Sequence, residues 1–407
     1  SAVSNVVSTG VITIPLMRDS GYSAEAAGGI EAVASTGGQL MPPLMGASAF
    51  VMAEFLEVAY TEVVLAALIP AVLYYLALFI LTDLEAARTG ITKISAEKIP
   101  RIGPVLRAGW FFPLPFGVLI YALFGAHLQP ETGALYAVGV LLACAFVFGY
   151  DGKRAGLSMV WRALRETGHS CIELLLIVAV AGLMIGLLNT SGLGFALTYS
   201  LVKIGGGNVA VLLVLAAVIS IVLGMGMPTL GVYVLVAALV APSLVEVGID
   251  LMAAHLFVLY FGMMSMITPP VAIAAFAAAT LTRASAMKTA FAAVRFGWLA
   301  YVIPFMFVLS PSLIMRGSVE NVLLAFVTAV IGVWLFSVGL MGYYIRPLGW
   351  AVRLCFLATG LSTLLPAEAF EGALFINIVG AGFGAILVLM ERGFKRHALL
   401  NRTEEDR

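Results

Sequence analysis

SNVVSTG at residues 4–10 and EAVASTGGQLMPP at 31–43 set Gly, Ser, Thr, Asn, Gln and Pro inside apolar sequence that would otherwise read as membrane-spanning helix. GMGMPTLG at 224–231 and FGMMSMITPP at 261–270 repeat the pattern far along the chain. An unpaired backbone group in hydrocarbon costs several kcal/mol, so non-helical backbone survives at that depth only where protein buries it or where it lines a cavity. Two interruptions of similar pattern point to a binding site held between repeats.

The rest of the chain is the setting these motifs need. Hydrophobic residues make up 62% of the 407 and charged residues 11%, against roughly 25% charged in soluble domains. This is an all-α polytopic membrane protein. The 22 basic and 22 acidic residues cancel, which leaves no net charge to attract nucleic acid. Cys144, Cys171 and Cys355 have neither metal-ligand nor disulfide spacing and read as small packing residues. The chain opens inside a motif, so further helices are expected upstream.

A spanning helix needs about 20 largely apolar residues. Such runs fall at 62–82, 108–125, 131–148, 170–190, 297–312, 320–344, 348–366 and 371–390. Two longer runs, 22–55 and 251–282, carry Gly-rich or Pro-Pro interruptions and read as broken helices. The runs 209–223 and 230–242 are shorter; each rises only about 20 Å, less than a hydrocarbon core about 30 Å thick. They read as the arms of a re-entrant hairpin, and residues 1–17 as the tip and returning arm of a matching one. Threading these segments puts every Lys and Arg except Lys203 and Arg316 in one set of loops, the cytoplasmic set. The two hairpins then open to opposite sides. That makes an inverted repeat, with two re-entrant hairpins and two broken helices, built to expose one midplane site alternately.

The motifs supply the chemistry. SNVVSTG offers oxygens from Asn5, Ser8 and Thr9 beside Gly10, where the backbone can turn. STGGQLMPP offers Ser35 and Thr36, a point of unwinding at Gly37 and Gly38, then Gln39 and the Pro42-Pro43 pair, whose missing amides free upstream carbonyls. The second copy has Gly224, Gly226, Pro228 and Thr229, then Gly262, Ser265, Thr268, Pro269 and Pro270. Aligned on the prolines, Ser35 falls on Gly262 and Gln39 on Met266, so the more polar first copy is expected to supply more direct ligands. Carbonyl and hydroxyl oxygens without a fixed carboxylate suit a weakly held cation such as sodium. Half-helix amino termini favour an anionic substrate. Small residues also permit close helix packing, but two coupled hairpin and Pro-Pro arrangements favour the site.

Glu31 lies one helical turn before Ser35 and is a candidate to bind a cation, to carry a proton, or merely to orient the break. Glu54 and Glu173 sit near the ends of apolar runs, where water is within reach. His127, His169, His255 and His397 are scattered and form no metal site, and neither HExxH nor GxxxxGK[ST] occurs.

SNVVSTGVITIPLM, EAVASTGGQLMPPLMGASAFVMAE, LGMGMPTLGVYV and GMMSMITPPVAIAAFAAA together resemble the large membrane subunit of the tripartite ATP-independent periplasmic (TRAP) transporters, in particular the fused form served by a TAXI-type binding protein. The resemblance covers about residues 1–310 and implies an elevator-type ion-transporter-like fold. It assigns 1–55 and 209–282 to the transport domain, 56–208 to scaffold helices with a cytoplasmic arm at 83–109, 283–310 to a connecting surface helix and span, and 311–407 to extra C-terminal helices. It places sodium at Asn5, Ser8, Thr9, Gly37 and Gly38, and at Gly224, Thr229, Met264 and Thr268. Ser35, Thr36, Gln39, Pro42, Gly226, Pro228, Ser265 and Pro269 are then the candidate substrate contacts. The implied activity is sodium-coupled import of a small organic anion across the bacterial inner membrane, without a cofactor. The implied partners are a periplasmic binding protein and a small membrane subunit or its fused equivalent, in a lipid bilayer. Competing readings are proton coupling through Glu31 and a non-transporting assembly subunit.

Overall fold

In the computed structural model, residues 1–91, 101–149 and 154–405 are described, and their regular elements are all helical. Helix α1 (Ala2–Ser20) precedes a first broken helix, α2 (Ala24–Gly37) and α3 (Ala47–Leu56), which α4 (Tyr60–Thr89) follows. Next come α5 (Ile102–Gly109), α6 (Pro113–Ile120), α7 (Pro130–Val147), α8 (Leu157–Ser191) and α9 (Leu193–Gly205). Helices α10 (Val209–Gly224), α11 (Thr229–Leu239) and α12 (Ala241–Glu246) lead to a second broken helix, α13 (Leu251–Met264) and α14 (Ile273–Thr282). Then follow α15 (Ala286–Phe296), α16 (Leu299–Leu309), a 3₁₀ turn at Pro311–Ile314, α17 (Val319–Met341), α18 (Trp350–Leu364) and α19 (Ala373–Glu405).

Among the described residues, seven helical stretches are long and apolar enough to cross a membrane, eight if the bent pair α5–α6 is one span. Helices α4, α7, α8, α17 and α19 cover the runs expected there. The run 108–125 is not a straight span: it bends by 58° between Gly109 and Pro113, where proline removes an amide from the ladder. The run 348–366 yields only the 15-residue α18, and 297–312 is the outer part of a longer α15–α16 stretch. The arms α10 and α11 pack on each other and on α13, while α11 with α12 also reaches spanning length. Of the expected cytoplasmic arm, 83–89 continues α4, 92–100 lie outside the described residues, and α5 turns no side chain inward.

The expected hairpin tip at SNVVSTG is instead unbroken helix. Ser8 donates to Asn5 O at 3.1 Å, one turn back on α1, while the Thr9 and Thr13 hydroxyls, 2.8 and 3.1 Å from the carbonyls of Asn5 and Thr9, also stand within hydrogen-bond reach of Glu31 on α2. Gly10 makes room rather than a turn, since a methyl there would stand 3.0 Å from Leu281 Cδ1 and 3.3 Å from Glu31 Cγ. Only Cys144 packs inside; Cys171 and Cys355 are exposed on helix faces, so packing does not account for them.

The core centres on α13, whose residues from Met252 to Met264 are all buried. Helices α2, α1, α14 and α15 pack together beside it, and α4 runs across both broken helices. The expected connecting surface helix, α15, lays Thr289, Ala290, Ala293 and Phe296 inward against α2 and its surroundings. Helices α17–α19 form a C-terminal bundle in which Gly360 lets α18 touch the α17 backbone, a Cβ there coming within 2.4 Å of Phe336 N. This bundle leans on α4 and the 3₁₀ turn, pinned by Glu368, which accepts hydrogen bonds from Ser310 (3.3 Å), Ser312 (2.6 Å) and Asn321.

Candidate functional site

The two broken helices keep one register. Helices α2 and α13 are each 14 residues long, and α3 and α14 are each 10. Ser23 and Asp250 cap α2 and α13, accepting from Ala26 N and Ala253 N at 3.1 and 3.0 Å. Between the half-helices the backbone leaves the helix at 38–46 and 265–272, and the Pro42-Pro43 and Pro269-Pro270 bonds are both cis.

Both breaks face one cavity of about 610 Å³. Gln39 and Met266, the pair matched by alignment on the prolines, both line it, as do Gly46 and Ala47 from the first break and Ile273 from the second. Gly226, Pro228 and Thr229 at the α10–α11 turn also line it, as does Ser170 of α8. The amino termini of α3, α11 and α14 therefore reach this space, and none of the three has a side-chain cap. Ala49 N is taken up by Gly46 O and Ala274 N by Met266 O, both at 3.0 Å; the other first-turn amides, with the partial positive charge of the helix end, have no hydrogen-bond partner among the described residues. Gln39 is 7% exposed and its Nε2 has no hydrogen-bond partner, so a buried amide donor is also unspent here. No charged side chain lines the cavity among the described residues.

The remaining predicted contacts divide between this space and its supports. Ser35 and Thr36 are buried but turned to other partners, Ser35 to Glu31 Oε1 at 3.2 Å and Thr36 back to Ala32 O at 2.8 Å. Pro42 and Pro269 shape the breaks without lining the cavity. Ser265 is buried, its hydroxyl shared between Gly224 O and Gly262 O. Met264 is wholly buried, and Thr268 donates to Met264 O at 2.6 Å. Ser8 is exposed on α1 and bonds only its own helix among the described residues. Glu54 is exposed, and the side chain of Glu173 lies outside the described residues. His255 is a packing histidine, its Nδ1 2.7 Å from the buried Tyr233 hydroxyl.

Near the first break the polar groups form a network. Glu31 is 4% exposed, and Thr9 donates to its Oε1 at 2.5 Å while Thr13 donates to its Oε2 at 2.5 Å. With Ser35, three hydroxyls from two helices converge on one buried carboxylate. Asn5 Nδ2 lies 3.7 Å from where a Cβ on Gly38 would stand, so α1 also reaches the break itself. Gly37 is held against α4: a Cβ there would fall 2.3 Å from Tyr74 Cε1. Tyr74 and Tyr75 donate to Val33 O and Ala34 O at 2.7 and 2.9 Å, and Tyr301 lies 2.7 Å from Thr268 Oγ1. Thr13, Tyr74, Tyr75, Tyr301 and Ser170 were not singled out from sequence. Tyrosines 32 residues after the first proline of each pair, at 74 and 301, were the available signal.

Comparison with known proteins identifies the family. The family described as the DctM component of the tripartite ATP-independent periplasmic transporters matches residues 1–322. The chain is 24% identical over 287 residues to the sialic acid TRAP transporter permease protein SiaT of Haemophilus influenzae, a match covering 69% of this chain and 44% of that protein. It is 25% identical over 333 residues to the C4-dicarboxylate TRAP transporter large permease protein DctM of Vibrio cholerae, covering 76% and 71%. The corresponding protein of Pseudomonas aeruginosa is 25% identical over 316 residues. The chain thus spans less than half of the sialic acid permease and about seven tenths of the dicarboxylate permeases. With the family match running through both broken helices and beyond α16, the chain belongs to the DctM family of TRAP transporters, multi-pass permease components of the bacterial inner membrane.

Proposed function

We propose that this chain carries the transport site of a secondary active permease that imports a small organic anion with sodium. The solute is delivered by a periplasmic binding protein of the TAXI type, and a small membrane subunit or its fused equivalent completes the machine. The two broken helices with their hairpin arms form an inverted repeat and move against the long helices as an elevator. The observation that carries this reading is the cavity between the breaks, where three uncapped helix amino termini and the unpartnered Gln39 amide face one space. Amide donors at helix ends suit a carboxylate. The relatives named for C4-dicarboxylates and sialic acid handle acids of that class. Sodium fits the first break, where the Ser35 carbonyl oxygen, the Asn5 side-chain amide and the Tyr75 hydroxyl lie 3.4, 3.7 and 4.0 Å from the point where a Cβ on Gly38 would stand.

A second reading, proton coupling, is favoured by Glu31, a buried carboxylate whose hydrogen-bond partners are hydroxyls. Uptake into proteoliposomes by the full-length protein with its binding protein separates the two. Loss of uptake on removing external sodium supports the sodium reading, whereas sodium-independent uptake driven by a pH gradient transfers coupling to Glu31. No solute flux under either gradient would make the chain an assembly subunit.

A further inference from the structure

The two breaks share a register but differ at one pair of positions, Gly38 and Ser265, each four residues before its Pro-Pro pair. In the second break, Ser265 Oγ stands 2.9 Å from the carbonyl oxygen of Gly224 and 2.6 Å from that of Gly262. One carbonyl belongs to the end of the hairpin arm α10 and the other to the broken helix α13, so the hydroxyl sits where two separate elements aim oxygens at one point. It is buried, with Ser265 only 1% exposed. Its single proton serves both carbonyls.

In the first break the same place is open. Gly38 has no side chain, and the Ser35 carbonyl, the counterpart of Gly262's, receives no hydrogen bond among the described residues. The neighbouring amides go elsewhere, Gly38 N to Ala34 O at 3.2 Å and Gln39 N to Thr36 O at 3.2 Å. A Cβ on Gly38 would stand 3.4 Å from Ser35 O and 3.7 Å from Asn5 Nδ2.

We propose that the second break carries a built-in hydroxyl in the position where the first break accepts the coupling cation, so that sodium binds at the first break only. This rests on the sodium reading above and narrows it. Carbonyls at an unwound helix are the ligands such transporters offer to sodium. At Gly224 and Gly262 the positive end of an O–H bond already occupies the point between them. At Ser35 nothing does. The consequence is ionic stoichiometry: one sodium accompanies each solute instead of one per repeat, and a monocarboxylate then crosses without net charge.

Reciprocal variants test this in the purified full-length protein by equilibrium binding of radioactive sodium. S265G is expected to bind about one more sodium per chain than wild type, because two carbonyls lose their internal donor. G38S is expected to lose the wild-type site, because its hydroxyl would reach Ser35 O as Ser265 reaches Gly262 O, and there is room for it. S265A, which deletes only the oxygen, replaces S265G if that variant does not fold. Equal sodium binding by wild type and the Ser265 variants, or two sodium ions bound by wild type, overturns the proposal. If wild type binds none and its uptake ignores sodium, the sodium reading fails on its own. A gained site in S265G would then still support the internal hydroxyl.

Discussion

Gly37→Ala is a direct test of how the first break is held. The new Cβ would stand 2.3 Å from Tyr74 Cε1 and 3.0 Å from both Tyr74 Cδ1 and Tyr75 Cζ, whereas carbon atoms in good contact lie about 3.5–4.0 Å apart. The Tyr74 ring must therefore retreat by more than 1 Å, although it is only 2% exposed and its hydroxyl is tied to Val33 O at 2.7 Å. Overpacking of this kind costs about 1–3 kcal/mol, and losing the hydrogen bond adds about 0.5–1.5 kcal/mol. The better helix propensity of alanine returns up to about 1 kcal/mol, leaving a net loss near 2 kcal/mol. The assay is reversible denaturant unfolding in detergent for wild type, G37A, Y74L and the double variant. Y74L removes the closest obstruction and leaves only the 3.0 Å approach to Tyr75 Cζ, so G37A in that background should cost under about 1 kcal/mol, a coupling of about 1–2 kcal/mol. If G37A costs the same in both backgrounds, contact with Tyr74 is not what requires glycine at this position.

Other outcomes follow from the same geometry. Gln39→Met, which copies the second break's Met266, removes the unspent amide donor and should raise KM for the solute about tenfold with little change in kcat, as the loss of one hydrogen bond to a carboxylate predicts; initial uptake rates across solute concentrations check this. Thr13→Val deletes one of the three hydroxyls on Glu31 and should cost about 1.5–3 kcal/mol of stability, the worth of a hydrogen bond to a charged group. Thr13→Ser should restore most of it, and unfolding midpoints decide. Glu368→Ala frees Ser310, Ser312 and Asn321 together, so protease accessibility of the C-terminal bundle should rise while sodium binding at the first break stays unchanged.

Much of this architecture was legible because its signals are long or chemically forced. The apolar runs gave α4, α7, α8, α17 and α19, and the two Pro-Pro motifs located the breaks in a shared register, since a proline pair cannot continue a helix. Aligning Gln39 with Met266 from sequence also chose two residues that meet at one cavity. The failures have a common physical origin. Ser8 and Thr9 can bond either to a ligand or to a carbonyl one turn back, and composition does not say which, so a continuous helix was read as a tip. Ser265 was read as a substrate contact, but its hydroxyl faces Gly224, a partner 41 positions away that no local pattern reveals. Tyr74, Tyr75 and Tyr301 lay hidden because aromatic residues in a spanning run look like ordinary packing. Pro113 and Pro115 were visible signs of the bend near Gly109, outweighed by the hydrophobicity around them.

The equal lengths of α2 and α13 place the same demand on both broken helices. Adding a single residue to either helix would swing everything beyond it by about 100°, turning Gln39 or Met266 out of the shared space and parting Ser265 from Gly224. Point differences at matched positions leave that register intact, as Gly38 and Ser265 show. Insertions and deletions have freedom only before Ser23 and Asp250, where capped starts let the count begin again.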